Sequence, residues 1–532
     1  MIVLTRRRFL SHSTRVITAA AAWADGFPLD VLRAGTSREA HAHGAPLQTQ
    51  PRFDRSPFTL GVASGDPTDD GMVLWTRLAP EPLAPGGGMP EETLRVVWEV
   101  AEDEQFARIV ARSNSEATPL RAHAVHVVVD GLRPARTYWY RFRVGTWESP
   151  VGRTRTAPEP SADVDRVRFA FASCQHWEHG YYTAHRHLAR EDLDAVLFLG
   201  DYIYEYAAFE NPVRPVAGAE AASLDGYRQR YAQYKTDPDL QAVHAAFPFI
   251  VTWDDHEVAN DYANDVSQDG AAREPFLLRR AAAYQAYFEH MPLRPVRRPR
   301  GPDMPLYRSL PYGRLIDLSV LDTRQYRTPK PCGGGQSVLC DGARAAGATI
   351  LGERQREWLF DHLAASPARW HVLAQQVLMA RLDLVAGPPE EFSMDKWTAY
   401  QADAQAVLDF FGTGKASNPI VLTGDIHSNW ACDLHARPVD SASAIVGAEF
   451  AGTSITTGRD GNEISARNQA ILPDNPHVKF HNGQRGYARC TVSRERWTTD
   501  YRVVPFVSRP GASIDTRASL VVENGRPGIH RA

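Results

Sequence analysis

The chain has 532 residues, of which 43% are hydrophobic and 23% are charged, in proportions typical of a soluble globular protein. Its length exceeds that of one ordinary domain, so we expect two or three domains. The formal net charge of -4 is small, which excludes an electrostatic case for binding nucleic acid or an anionic membrane surface. We therefore infer no nucleic-acid partner.

The first residues resemble an export signal. The paired arginines Arg6 and Arg7 precede Phe9-Leu10 and a short, weakly apolar run rich in alanine. This order resembles a twin-arginine signal, which carries folded proteins across the bacterial inner membrane; the alternative is a basic, disordered start. No later run of about 18 apolar residues predicts a membrane span. We expect signal and linker at 1–50, the twin-arginine export machinery as a partner, and a periplasmic or secreted protein.

Residues 51–157 have the pattern of a small all-β sandwich, with short β-rich runs separated by turn signals. Tyr138, Tyr140, Phe142 and Val144 occupy alternate positions, as in a strand with one buried face. The same stretch resembles the tyrosine-corner strand of fibronectin type III and immunoglobulin-like sandwiches. We interpret this domain as having a structural or positioning role.

The sequence changes character after a linker rich in Pro, Ser and Thr at 154–165. Near-continuous apolar runs, typical of strands buried on both faces, now alternate with helical stretches, which indicates an α/β organisation. The apolar runs include "VRFAFAS", "AVLFLG", "PFIVTW" and "PIVLTG". We assign this domain to 158–515 and expect 516–532 to be a C-terminal tail, which either covers the site or simply trails.

Five cysteines are few for an exported chain of this length. Cys332 and Cys340 are eight positions apart in a glycine-rich loop and could form a local disulfide in an oxidising compartment. Cys432 and Cys490 have the context of core residues. Cys174 remains, at the end of an apolar strand.

Four predicted strands end in side chains that can bind metal ions. In open α/β sheets, ligands bind beyond the carboxyl ends of the strands, so these ends should converge. One such Asp would usually be a turn residue, but several carboxylates buried together need compensating cations. The sequence therefore predicts a metal site. The strand-end residues are Cys174, Asp201, Asp254, Asp255, His256, Glu257, Asp425 and His427.

The order and spacing of these blocks resemble the calcineurin-like metallophosphoesterases. The blocks "FASCQHWEHGYYTAHRHL", "LGDYIYEY", "TWDDHEVANDY", "LDTRQYR", "LTGDIHSNW" and "FAGTSITTGRDG" look like those of PhoD-type alkaline phosphatases. The resemblance covers roughly residues 56–505. It implies an α/β metallophosphatase sandwich, with two central β-sheets flanked by helices, preceded by the small all-β sandwich.

The resemblance also implies ferric iron (Fe³⁺) held by Cys174, Asp201, Tyr204 and His427, with Asp201 bridging to a second ion. A free tyrosine has a pKa of about 10, so a phenolate ligand indicates a highly charged ion, which would also deprotonate the thiol. The alternative for Tyr204 is a core aromatic residue.

Calcium (Ca²⁺) is the second ion that the resemblance implies. Asp425 and Asp255 replace a histidine and an asparagine of the related purple acid phosphatases, and such oxygen ligands suit a hard divalent ion. We expect Asp201 and Asp425 as its main ligands, with Asp255 and Asn260 as further candidates.

These residues imply an exported, metal-dependent phosphatase that hydrolyses small-molecule phosphate monoesters through a metal-activated water. His256 is our candidate for protonating the leaving group, with a loop-capping histidine as the alternative. Arg324 and Arg186 are candidate phosphate donors; for Arg186 an exposed helix position is the alternative.

Two other functions remain open at this point. The same metal pair can serve phosphate diesters, as in a phosphodiesterase or a phospholipase D-like enzyme. The chain could instead be a non-catalytic exported binding protein, although every strand-end ligand is present.

Overall fold

The computed structural model describes residues 53–532, so the predicted signal and linker at 1–50 lie outside the described residues. No helix in this described part is both long and apolar enough to cross a membrane.

The strands are numbered in chain order. They are β1 (Val62–Gly65), β2 (Met72–Arg77), β3 (Leu94–Ala101), β4 (Ile109–Ala117), β5 (Ala124–Val129), β6 (Thr137–Val144), β7 (Trp147–Glu148), β8 (Gly152–Arg155), β9 (Arg166–Ala172), β10 (Ala195–Leu199), β11 (Pro248–Thr252), β12 (Arg308–Tyr312), β13 (Ile316–Val320), β14 (Gln336–Ser337), β15 (Trp370–Gln375), β16 (Phe392–Ser393), β17 (Ile420–Thr423), β18 (Asn429–His435), β19 (Ile445–Ala451), β20 (Val478–Asn482), β21 (Arg485–Ser493), β22 (Arg496–Val504), β23 (Asp515–Glu523) and β24 (Arg526–Arg531). The α-helices span Thr183–Leu188, Leu224–Lys235, Pro238–Ala246, Arg273–His290, Asp341–Arg344, Glu353–Ala365, Gln401–Gly412 and Ala466–Ile471.

Two large sheets form the centre of the molecule. A ten-stranded sheet has the order β24-β23-β22-β21-β9-β10-β11-β1-β2-β5, and a seven-stranded sheet has the order β12-β13-β15-β17-β19-β18-β20. Within them, β9, β10 and β11 are parallel, as are β13, β15, β17 and β19. The parallel strands bring their carboxyl ends to one edge of each sheet.

The two sheets pack face to face, with helices on their outer faces. Leu197 and Leu199 of β10 lie in a core shared with Val372 and Leu422 of the other sheet. The alternate residues of β10, such as Phe198, pack into a second core with the helices Leu224–Lys235 and Arg273–His290. Both faces of β10 are thus buried, and the predicted sandwich of two sheets flanked by helices is confirmed.

The N-terminal part is an all-β sandwich, as predicted. One face is formed by β1, β2 and β5, the other by β3, β4, β6, β7 and β8, and their apolar residues share a core. The alternating residues of β6 point into it, and the Tyr138 hydroxyl accepts a hydrogen bond from the backbone N–H of Arg133 at 2.9 Å. This contact is the predicted tyrosine corner.

The sandwich shares a sheet with the α/β part of the chain. Strand β1 pairs in parallel with β11, with Ser64 opposite Pro248 and Gly65 opposite Phe249. The pairing covers two strand edges that would otherwise be open. The ten-stranded sheet therefore continues across the boundary that we predicted at 157.

The expected tail at 516–532 is instead a β-hairpin, which corrects that prediction. Strands β23 and β24 meet at Asn524-Gly525, and Glu523 pairs with Arg526 across the turn. Leu520 and Val522, two positions apart on one face of β23, lie in the core between the sheets together with Ile529. The alternation and the Asn-Gly turn are hairpin signals, but the exposed polar residues around them obscured the pattern.

The predicted disulfide is present between Cys332 and Cys340, and Cys432 and Cys490 are buried free thiols. Lys330 lies two residues before the disulfide loop, and its ammonium group is 2.7 Å from Asp261 Oδ2.

Lys235 is a buried cation where the two parts of the chain meet. Its Nζ lies 4.2 Å from the ring centre of Trp75 in β2 and 5.3 Å from that of Tyr202. Burial lowers the pKa of Lys235 from 10.5 to about 7. Between these values the unfolded chain binds more protons than the folded one, so this lysine destabilises the fold fully below pH 7 and less as the pH rises toward 10.5.

We expect Lys235→Met to raise the free energy of unfolding by about 2–4 kcal/mol at pH 7 and by less than about 1 kcal/mol at pH 10. Denaturant unfolding of both proteins at the two pH values measures the difference. Equal gains at the two values would show that Lys235 keeps an ordinary pKa in the folded protein.

Candidate metal centre

The predicted ligands lie at the carboxyl ends of strands from both sheets. Cys174 follows β9, Asp201 follows β10, Asp255 follows β11, and Asp425 and His427 follow β17. The two sheets come close together at this end. A Cβ on Gly424 would lie 2.9 Å from the Leu199 carbonyl oxygen and from the Ser173 side chain, so only glycine permits the approach.

The four predicted iron ligands meet. The ligand atoms of Cys174, Asp201 and His427 lie within 4.8 Å of one another. The Tyr204 hydroxyl donates to Asp201 Oδ2 at 2.8 Å and lies 3.3 Å from His427 Nε2. The structure thus brings together a thiol, a carboxylate, a phenol and an imidazole from three separate strand ends.

A second group of ligand atoms shares Asp201 with the first. Asp201, Asp255 and His256 offer atoms within 4.8 Å of one another. Asp201 Oδ1 is buried and has no hydrogen-bond partner among the described residues, and the same holds for Asp254 Oδ2. Unpartnered buried carboxylate oxygens are costly, and a cation would satisfy them. The donor set therefore fits metal ions.

The backbone is strained at the ligand positions. Cys174, Asp201, Asp425 and His427 have φ values of 58°, 55°, 60° and 55°, in the left-handed region. Each such non-glycine residue costs about 1–3 kcal/mol, and strain of this kind concentrates at functional sites. Its recurrence at four residues that follow three strands supports a ligand-binding role for them together.

Glu257, one of the strand-end acids, holds the loops rather than joining either ligand group. Its carboxylate accepts hydrogen bonds from the backbone N–H groups of Asp201 at 3.1 Å, Tyr202 at 2.6 Å and Asp254 at 2.8 Å. It therefore fixes the turn after β10 against the turn after β11.

The surroundings of Cys174 and Tyr204 disfavour the ionised forms of the thiol and of the phenol unless a cation is present. Burial and the neighbouring Asp201 raise the pKa of the Cys174 thiol well above its ordinary value. The same two causes raise the pKa of the Tyr204 hydroxyl. Both groups become good ligands only beside a strongly positive ion.

His256 is paired with an acid that the sequence analysis missed. Its Nδ1 lies 2.8 Å from Glu205 Oε2, and Glu205 also accepts from the Asn260 backbone N–H at 2.7 Å. Burial acts to lower the pKa of His256, but Glu205, Asp255 and Asp201 outweigh it, and the pKa is raised well above its usual value. Glu205 directly follows Tyr204, which was the available signal.

The candidate calcium ligands are only partly assembled. Asp255 lies in the second ligand group, but Asp425 lies in neither and is instead paired with the ammonium group of Lys396. The side-chain amide nitrogen of Asn260 donates to Gln268 in the loop beyond, and the role of its amide oxygen as a calcium ligand stays a prediction.

Arg324 is a buried counter-ion, which corrects its prediction as a phosphate donor. Its side chain is fully buried, and its Nη atoms donate to the two carboxylate oxygens of Asp395 at 2.8 and 2.9 Å. Its Nε donates to Asp254. The Nε and both Nη atoms of the guanidinium group thus donate to the protein's own carboxylates, which leaves no pair of N–H groups free to bind a phosphate.

Arg186 lies on the helix Thr183–Leu188 and pairs with Asp239 at 2.9 Å. Its side chain is 41% exposed, and it contacts none of the ligand residues. This placement agrees with the alternative of an exposed helix position, and a role of Arg186 in binding phosphate stays a prediction.

Several charged residues of the site were missed because they come from segments without a strand-end pattern. Asp395 and Lys396 lie in the stretch "SMDKW" between the buried residues Met394 and Trp397. Arg485 donates to the backbone carbonyl of His427. The only sequence signal was a charged pair inside an apolar context.

Comparison with known proteins agrees with this geometry. The model of the family described as "PhoD-like phosphatase" matches residues 169–501, and that of "PhoD-like phosphatase, N-terminal domain" matches 42–158. Alkaline phosphatase D of Bacillus subtilis (strain 168) is 51% identical over 490 residues, covering 91% of this chain and 84% of that protein. The solved "Structure of PhoD" has a TM-score of 0.89 at 51% identity, covering 91% of this chain and 93% of that one.

These relatives are phosphatases, so the alternative of a non-catalytic binding protein is wrong. A family match over most of the chain, a close relative of nearly full length and the same fold all agree. This chain belongs to the PhoD-like phosphatase family and is a phosphatase.

Proposed function

We propose that this phosphatase is an exported, metal-dependent enzyme that hydrolyses phosphate monoesters. The observation that carries the proposal is the position of Asp201, which lies with Cys174 and His427 in the first ligand group and with Asp255 in the second, so that two ions held there would clamp one phosphoryl group. Export, and with it a periplasmic or secreted location, rests on the paired arginines Arg6 and Arg7 in the sequence.

The chemistry of the donors supports ferric iron and calcium as the ions. Cys174, Tyr204 and His427 would hold iron together with Asp201, because a phenolate beside a thiolate is a donor pair that suits a highly charged ion. The oxygen atoms of Asp201, Asp255 and Asp425 suit calcium. When bound, such ions neutralise phosphate oxygens and supply an activated water for in-line attack.

His256 and Glu205 are the residues that we assign to protonation of the leaving group. Glu205 holds His256 through Nδ1 at 2.8 Å, which fixes the ring and leaves Nε2 for another partner. In our proposal, Nε2 gives its proton to the departing alkoxide oxygen. Glu205 acts as a positioning residue that keeps the imidazole charged and oriented.

We expect the purified enzyme to have a visible phenolate-to-iron charge-transfer band, and Tyr204→Phe to abolish it. The matched control is Tyr202→Phe, because the Tyr202 hydroxyl bonds His244 at 2.8 Å instead of a ligand. Elemental analysis of untagged protein, purified without chelators, should find iron and calcium. A protein that contains only zinc and has no such band would contradict the metal assignment.

The same preparation tests the reaction. We expect faster hydrolysis of p-nitrophenyl phosphate than of bis-p-nitrophenyl phosphate, and reversible loss of activity with EGTA. Faster hydrolysis of the diester would favour the phosphodiesterase alternative, and indifference to EGTA would count against calcium.

A further inference from the structure

A stack of rings runs outward from the first ligand group. The Tyr204 ring lies 4.1 Å from that of His256 and 4.3 Å from that of His176, measured between ring centres. From His176 the stack continues to His179 at 4.0 Å and to Phe209 at 5.2 Å, with interplanar angles of 22° and 25°. The rings therefore connect a predicted metal ligand with the protein surface.

The outer end of this stack forms an aromatic rim, which we define as Tyr206, Phe209 and His179. Phe209 is 38% exposed and is the one exposed residue among the Phe, Tyr and Trp of 53–532. The Tyr206 ring is half-buried and lies 5.7 Å from that of Phe209 and 5.1 Å from that of His256. The rim thus adjoins the histidine that we assign to the leaving group.

Specific hydrogen bonds hold the rim in place. The buried carboxylate of Glu178 accepts from the Phe209 backbone N–H at 3.2 and 3.1 Å, and from that of Val216 at 3.4 Å. Arg230 donates to the Tyr206 carbonyl oxygen at 2.7 Å. The loop is therefore fixed with an apolar ring facing water, although burying that ring would be favourable.

We infer that the aromatic rim binds the alcohol part of the ester and makes the enzyme selective for phosphate esters of flat, aromatic alcohols. The inference rests on the proposed function, because it takes the ligand groups as the phosphate site and His256 as the neighbour of the leaving oxygen. A planar group attached to that oxygen would lie against Tyr206 and Phe209, within the 4.5–7 Å separations at which aromatic rings attract each other.

The test is Phe209→Ala, assayed with 2-naphthyl phosphate and with glycerol 2-phosphate. We expect kcat/KM for the naphthyl ester to fall about 5- to 10-fold, mainly through a higher KM, because stacking stabilises ground and transition states alike. The value for glycerol 2-phosphate should stay within about 2-fold. Phe209→Tyr should retain the wild-type preference. Leu278→Ala removes an apolar side chain that is 71% exposed on the helix Arg273–His290 and should change neither value.

Equal losses on both substrates, or no loss on either, would overturn the inference. Binding by calorimetry gives a readout independent of turnover: wild-type protein should bind phenylphosphonate more tightly than methylphosphonate, and Phe209→Ala should lose this preference. A wild-type protein that hydrolyses neither ester but prefers phenylphosphonate would refute the proposed function and support the rim. One that hydrolyses both esters without distinguishing the phosphonates would do the reverse.

Discussion

Asp201→Asn is expected to lower kcat/KM for p-nitrophenyl phosphate by about 10³-fold or more while the protein stays folded. Asp201 is the one residue common to both ligand groups, so the substitution removes a negative charge that would help to hold both predicted ions. Asparagine is the suitable replacement, because position 201 has a φ of 55° and asparagine tolerates the left-handed region better than alanine does.

Stability measurements separate loss of chemistry from loss of fold. In the presence of a chelator, Asp201→Asn should melt no lower than the wild type, because a buried carboxylate with an unpartnered oxygen has been removed. Asp194→Asn is the matched control: Asp194 lies at the opposite end of β10, pairs with Arg155 at 3.0 Å and should be dispensable for activity. A fully active Asp201→Asn enzyme would refute the bridging role.

Arg324→Met should destabilise the protein by about 3–5 kcal/mol, because it leaves Asp254 buried without its counter-charge, whereas Asp395 keeps Arg327 at 2.6 Å. Denaturant unfolding measures the loss. Adding Asp254→Asn should recover part of it, since the second substitution removes the carboxylate that Arg324→Met leaves unpaired. Arg186→Met is the control, because its exposed ion pair should contribute no more than about 1 kcal/mol.

The two roles considered for Arg324 predict different results. A phosphate-binding arginine would raise KM on removal and leave the free energy of unfolding nearly unchanged. A buried counter-ion would lower the free energy of unfolding in the absence of substrate. An Arg324→Met protein of normal stability with a strongly raised KM would restore the role expected from the sequence.

Local patterns were sufficient to predict the strand ends but not the pairing of charges around them. Cys174, Asp201 and His427 each follow a recognisable apolar run, and parallel strands bring such ends together. Arg324 and Asp395 are 71 positions apart, and Asp425 and Lys396 are 29 apart. No periodicity indicates which arginine meets which carboxylate, since that is decided by the folded arrangement of separate segments.

The continuation of the large sheet from β11 to β1 could not be predicted from the sequence, for a similar reason. The alternation in β6 identifies a strand with one buried face, and the tyrosine corner follows from it. The choice of β11 as the partner of β1 depends on which edges remain open after folding, and a strand's own residues do not encode this. The β23–β24 hairpin did have a local signal, in Asn524-Gly525.

The parallel pairing of β1 with β11 makes the N-terminal sandwich inseparable from catalysis. Strand β11 leads directly into Asp255 and His256, and β1 is its neighbour on the side away from β10. A truncated enzyme lacking the sandwich would expose the flank of the strand that positions these two residues, inviting misassociation with other chains. The sandwich is therefore part of the sheet that carries the site, and deleting it would remove a strand from the catalytic part's own sheet.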